Sequence, residues 1–399
     1  MSDPEPMAGG AGSEAAAIAD WVLREGRRLA SLDEVLAAFC PRLAAIGIPI
    51  DRVGFTMGTL HPQIRARRVV WQRGAAATSE TLYGHGARSE ERYQQSPFAV
   101  VHSTGEPLRR RLDRPEVELD FPVLAELKAE GFTDYLVTPL AFGTGNVHSM
   151  TWASRQPGGF RDSDLAAISA LLPALGALTE IHETRHVTRS LLATYLGHQA
   201  GARVLNGSIT RGSAETIAAA LWYCDLRGFT AMADRLPRDE LIRLLNDYFA
   251  CMVGPVHGHG GEVLKFIGDA MLAIFPIADD LDRDRACLNA LAAAEEALAD
   301  LARLNAERRA AGKPELEVGL ALHTGAVMYG NIGAPDRLDF TVIGPAVNLV
   351  VRLEGLCSIL GRPLIGSARF ASPCGSRLQS LGHHRLKGIA EPQEVFGLP

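Results

Sequence analysis

The stretch AALWYCDLRGFT at residues 219–230 is an apolar run that ends on a carboxylate, Asp225, and continues as Arg227, Gly228, Phe229 and Thr230. The run reads as a buried strand, Gly228 as the turn, and residues 239–253 as the helix beyond it. A carboxylate at the exit of a buried strand, beside a glycine, is a common place to hold a divalent cation. Further on, GEVLKFI (261–267), Gly268-Asp269 and AMLAIF (270–275) read as a β-hairpin with an acidic tip. Asp225 and Asp269 stand 44 apart and could converge on one pair of Mg²⁺ ions, which prefer oxygen donors and can activate one oxygen while stabilising another. Either aspartate alone reads more simply as a helix cap or a turn residue.

Around these segments lies an ordinary globular composition, 47% hydrophobic and 22% charged over 399 residues, long enough for two domains. Forty basic against 46 acidic side chains leave a net charge of -6, which excludes a global attraction to nucleic acid or anionic membrane. The six cysteines are spread too widely for a zinc knuckle, a CxxC pair or a secreted disulfide framework. Residues 165–178 are apolar but broken by Ser, Pro and Gly, short of a membrane span. The start, MSDPEPMAGGAGSEAAA, has no basic lead-in to an apolar run. The expectation is a cytoplasmic protein without nucleic-acid or membrane partners.

Residues 1–13 read as a disordered tail and 14–185 as a first domain. Apolar residues recur at helical spacing to about Ile46, with Ser31 and Asp33 as start signals for a second helix. RVGFTMGTL, ARRVVWQR, DYLVTPLAF and VHSMTWAS then read as strands, with GTGN (143–146) as a hairpin turn. LRRRLDR (108–114) reads as a solvated loop, while Trp71, His85 and Tyr93 could line a pocket but as single residues more often pack or sit half exposed. A long helix over 162–196 would be capped by Asp162 or Ser163 and kinked at Pro173. Residues 186–217 read as a helical linker or transducer containing a polar connection at 197–215, and 218–399 as the second domain.

Two more segments complete a pattern: LHTGAVMYGNIGAPDRLDFTVIGPAVNLVVRLEGL (322–356) and LKGIAEPQEVF (386–396). With YCDLRGFT and KFIGDAMLAIF they resemble, in order, the four segments of class III nucleotidyl cyclases, over about residues 218–399. The resemblance implies an α+β fold, with a ferredoxin-like (palm-type) catalytic domain of antiparallel-rich sheet and packed helices. The layout of 14–185 resembles a GAF-type sensor domain joined to it by the long helix, with an unknown small molecule or protein as its signal; a dimerising domain without ligand explains that layout nearly as well.

By this resemblance Asp225, Asp269 and the Leu226 carbonyl hold two Mg²⁺ or Mn²⁺ ions per site. Asn348 orients the ribose and Arg352 stabilises charge on the α-phosphate; four apart on a helix, they face the same way. Lys387, with Phe229 and Thr230, contacts the phosphates. Lys265 and Thr341 select the base, and this pair favours ATP over GTP because a cationic donor suits adenine N1. The implied reaction is ATP to 3′,5′-cyclic AMP and pyrophosphate; the alternatives are a guanylate cyclase or a catalytically weak cyclase-like regulatory module. The family's sites are shared between subunits, which implies a homodimer with active sites at its interface. One departure stands out: Gly319 occupies the place of a phosphate-binding Arg, leaving that task to Lys387 or a cation such as Arg337 or Arg385.

Overall fold

A computed structural model describes residues 10–399, in two units that divide between Leu191 and Leu192. Residues 10–13 open the Gly10–Arg24 helix, which corrects the end of the expected disordered tail; its residues 1–9 lie outside those described.

The first unit is built on six antiparallel strands: β1 Arg52–Gly58, β2 Ile64–Gln72, β3 Ser79–Gly84, β4 Leu108–Arg111, β5 Asp134–Ala141 and β6 Val147–Ser154. Their order is β3-β2-β1-β6-β5-β4. Alternation along the strands buries both faces. Leu136, Leu140, Met150 and Trp152 pack with the Leu32–Ala45 and Asp162–Leu196 helices, while Tyr135, Val137 and Ala153 pack with the Pro97–Thr104 and Pro122–Ala129 helices. Ser31 caps the Leu32–Ala45 helix by accepting from the Glu34 N–H. The GTGN segment closes the β5–β6 hairpin, with Gly145 at φ +83.

Three local expectations change. LRRRLDR is not a loop, since its first four residues form β4 and its arginines are paired to aspartates. Neither Asp162 nor Ser163 caps the long helix; Asp164 reaches back to accept from the Arg161 backbone N–H and guanidinium. The helix keeps Pro173 inside it and runs to Leu196 as one element, over the range expected. Over its full length it is also long and apolar enough to cross a membrane, contrary to the shorter stretch read from the sequence. Its apolar side (Ile168, Leu171, Leu175 and Leu178) is buried in the first unit's core.

In the second unit the strands are β7 Ala214–Leu226, β8 Glu262–Ile267, β9 Ala270–Ile277, β10 Val318–Ala334, β11 Arg337–Ile343, β12 Leu364–Ser367, β13 Gln379–His384 and β14 Gln393–Gly397. They form one sheet in the order β13-β14-β12-β10-β7-β9-β8, with β11 also paired to β10. Only the β10–β12 pairing is parallel among the described strands. The Arg238–Gly258 and Asp280–Ala310 helices cover one face and the Pro345–Leu360 helix the other. This is an α+β unit. The expected polar connection at 197–215 carries a helix, His198–Leu205. Its first turn hangs on the buried Glu262 of β8, which accepts from the Gln199 and Ala200 N–H groups and, on its other oxygen, from the Tyr329 hydroxyl.

Candidate active site

Strand parity decides where Asp225 emerges. On β7, Ala219, Leu221 and Tyr223 pack with the Pro345–Leu360 helix, and Ala220, Trp222 and Cys224 with the opposite layer. Asp225, the next odd position, therefore comes out on the helix side. β9 pairs with β7 through Cys224↔Met271, so the tip of the β8–β9 hairpin ends beside Asp225 and brings Asp269 with it.

The two carboxylates lie within hydrogen-bonding reach of each other. Burial first, then Asp269 and then Glu354, raise the Asp225 pKa to about 7, while the Leu226 backbone N–H lowers it. Arg227, two residues on, turns away to the Arg362 carbonyl at 2.8 Å and Glu317 at 3.8 Å. Two acids are thus pressed together without a basic side chain between them.

Sequence reasoning missed Glu354 as a member of this neighbourhood. Burial raises its pKa, Arg227 lowers it and Asp269 raises it. Its carboxylate lies over Gly319, the β10 residue paired with Asp225. A Cβ built at 319 would come 3.0 Å from Glu354 Cδ and 3.2 Å from Cys357 Cβ. The signal was present as the glycine found where an arginine was expected: the space belongs to Glu354.

A second group gathers on β8, β11 and the Pro345–Leu360 helix. Lys265 Nζ is 3.6 Å from Asp339 Oδ2. Asp339 and Thr341 alternate along β11 and share a face, so Lys265 and Thr341 border one patch. Thr341 is 5% exposed and its hydroxyl has no hydrogen-bond partner. Arg352 lies against Gly388, where a Cβ would meet its Nη2 at 3.4 Å; Lys387, next in the chain, is exposed, as is Asn348. Phe229 and Thr230 open the short Phe229–Arg235 helix. The Phe229 side chain packs on the core, so only its backbone faces outward chemistry, and Thr230 is exposed. Among the described residues no hydrogen bond or ion pair joins this group to the aspartate pair.

His323, on β10, is held inside the core. His323 Nδ1 is 2.8 Å from Ser367 Oγ, and burial lowers its pKa to about 4.

The donor set fits a hard divalent ion. Two carboxylates carry the charge, and among the described residues no cluster of three or more His, Cys, Asp or Glu stands ready to enclose an ion. Mg²⁺ and similar ions typically take one or two carboxylates and complete their shell with water and substrate phosphates.

The family model described as the adenylate and guanylate cyclase catalytic domain matches residues 213–362. The chain is 40% identical over 162 residues to an adenylate cyclase of Anabaena cylindrica, a match spanning 38% of this chain and 31% of that protein. It is 30% identical over 178 residues to adenylate cyclase 1 of Rhizobium meliloti (strain 1021), across 44% of this chain and 26% of that one. The matches thus span about a third or less of those relatives' length. Among solved structures, the adenylyl cyclase CyaB of P. aeruginosa aligns with 47% of this chain and 96% of its own, at 25% identity and a TM-score of 0.43. The acid pair, Lys265, Thr341, Asn348 and Arg352 all fall within residues 213–362, the part of the chain that matches the adenylate and guanylate cyclase catalytic domain.

Proposed function

We propose that the protein is an adenylate cyclase that converts ATP to 3′,5′-cyclic AMP and pyrophosphate. The observation that carries this reading is the convergence of Asp225 and Asp269 at one end of the central sheet, unpaired with any base, inside a cyclase-like segment. Asp225 and Asp269 would hold two Mg²⁺ or Mn²⁺ ions, with the Leu226 carbonyl assisting; when bound, such ions acidify the ribose 3′-hydroxyl and neutralise phosphate charge. Lys265 donates to adenine N1, and the unpartnered Thr341 hydroxyl meets the exocyclic amino group. Asn348 orients the ribose. Arg352 stabilises the charge that grows on the α-phosphate, and Lys387, beside it, takes the terminal phosphates, aided by the chain around Phe229 and Thr230. The relatives named adenylate cyclases support ATP as substrate.

A homodimer follows from the separation of the two groups within one chain, each site taking the aspartates from one copy and the base- and phosphate-binding set from the other. Phe266 (52% exposed), Met328 (49%) and Ile343, on the strands around Lys265 and Thr341, leave apolar surface that a second copy would cover. The first unit is read as a GAF-like sensor whose signal alters the closure of the shared sites. Six free cysteines support a cytoplasmic setting.

A specific observation favours a second reading, a catalytically weak cyclase-like module: Glu354 stands where a phosphate-binding Arg would otherwise work. The deciding experiment incubates the purified protein with Mg²⁺ or Mn²⁺ and each of the four nucleoside triphosphates and reads the products by mass. Cyclic AMP from ATP in excess over cyclic GMP from GTP supports the proposal; the reverse ratio makes it a guanylate cyclase, and no cyclic product leaves the regulatory module.

A further inference from the structure

The first unit carries a half-open cavity of about 510 Å³, within the range of pockets that hold small organic ligands. It lies between the ends of β1 and β2, the β5–β6 hairpin, the Pro97–Thr104 helix and the later part of the Asp162–Leu196 helix. Met57, Phe98, Phe142 and Val187 give it an apolar lining.

Its polar lining is unbalanced. Glu183 lines the cavity, is only 5% exposed, and has no hydrogen-bond partner on either carboxylate oxygen. The Thr56 and Thr59 hydroxyls, also in the lining, are buried and unpartnered. A buried carboxylate without donors is a strongly unfavourable arrangement that a protein keeps only with compensation.

Nothing in the cavity wall supplies that compensation. His102 is engaged on both nitrogens, by the Tyr93 hydroxyl at 3.1 Å and Ser149 Oγ at 2.7 Å. His148 accepts from the Gly58 N–H at 3.2 Å and stacks on Phe142. Burial lowers the pKa of both imidazoles, that of His148 to about 4, so neither carries charge at neutral pH. Arg65 is committed to Glu90 and lies over the Tyr93 ring. Glu180, the other acid of the wall, accepts from the Gly143 N–H. Just outside the lining, Arg67 is paired with Glu80 at 3.3 Å, and burial, then the Arg67 charge, lower the pKa of His186, one turn beyond Glu183, against the opposing pull of Glu183.

We propose that this cavity is a binding site for a small organic cation, an amine or amidinium carried on an apolar body, with the charge set against Glu183 and its N–H groups shared with Thr56 and Thr59. The aromatic rings at the wall suit the apolar body and add attraction for a cation near their faces. The site is independent of the cyclase reading, since it stands on the first unit alone. It also differs from the sequence-based pocket candidates: Tyr93 lines it, whereas Trp71 and His85 do not.

The test is calorimetric titration of the full-length chain with 2-phenylethylamine and benzamidine, against phenylacetate and benzamide as matched uncharged or acidic probes. The amine and the amidine should bind at least about tenfold more tightly than their matched controls, a clear free-energy difference. Glu183→Gln should weaken them by a similar factor while holding or raising the thermal midpoint of the ligand-free protein, because it removes an uncompensated charge. Thr59→Val should weaken binding a few-fold without altering the preference for cations. Equal binding of phenylacetate or benzamide overturns the proposal, as does unchanged affinity in folded Glu183→Gln. No binding of either cation up to about 10 mM, the weak end for probes of this size, also overturns it. Should Glu183→Gln fail to fold, the probe contrast on the unaltered chain and Thr59→Val decide.

Discussion

Asp134 in the first unit and Asp225 in the second both sit at strand ends, yet the protein treats their charges in opposite ways. Asp134, fully buried at the start of β5, accepts from Arg109 Nε and Nη2 and from the Phe160 N–H, with Arg111 at 3.9 Å. Gly159 gives it room: at φ +65, a Cβ there would come within 2.7 Å of the Asp134 Cβ. Asp225 has an acid for a neighbour in place of a base. Burial with compensation is architecture; burial with added like charge is a site held ready for something positive.

The largest effect should come from breaking the second arrangement. Asp225→Asn or Asp269→Asn is expected to lower cyclase turnover by more than about a thousandfold, as loss of a metal-holding group does, while leaving the thermal midpoint unchanged or higher. A variant that keeps most of its activity would end the comparison. Asp134→Asn should do the converse, removing about 3 kcal/mol of stability from the first unit, the usual range for breaking a buried pair, with denaturant unfolding as the measurement. A loss smaller than about 0.5 kcal/mol would place Asp134 among ordinary surface substitutions.

Each unit also holds a buried neutral histidine. His148 and His323 have folded-state pKa values lowered by burial to about 4. The unfolded chain takes up their protons first, so their contribution is full above about pH 6.5 and is lost as the pH falls toward 4. At pH 5 each should have lost about 2 kcal/mol, and His148→Asn or His323→Asn should flatten the acid limb of the stability profile. The smallest effect concerns base choice: Lys265→Glu should lower ATP turnover about tenfold and spare GTP, through loss of one charged hydrogen bond. Equal loss on both nucleotides would remove Lys265 from base selection.

The placement of the second unit's candidate residues was legible in the sequence because they sit at the joints of local patterns. Apolar parity carries Asp225 to the correct face of β7, and a two-residue tip carries Asp269 beside it, so neighbours in the chain already imply neighbours in space. Asn348 and Arg352 follow from helical spacing in the same way. What escaped was determined at a distance. LRRR looked like solvated charge because its partners Asp134 and Asp120 lie 25 and 10 residues on. The His198–Leu205 helix has weak local signals and depends on Glu262, 62 or more residues away. Asp162 and Ser163 both had the composition of a cap, but the carboxylate that reached a free N–H was that of Asp164, from inside the first turn. Glu354 carried no local signal of its own; the sheet sets Gly319, 35 residues earlier, beneath it.

That last relation constrains how this site could be re-engineered. Grafting an arginine onto position 319 to tighten triphosphate binding would not be a single step, because the incoming side chain and the glutamate compete for one volume. The two positions form an epistatic pair: shortening 354 first opens the path, whereas the graft alone must expel a carboxylate from beside Asp225 and Asp269 or capture it in an ion pair that neutralises the new charge before any anion arrives.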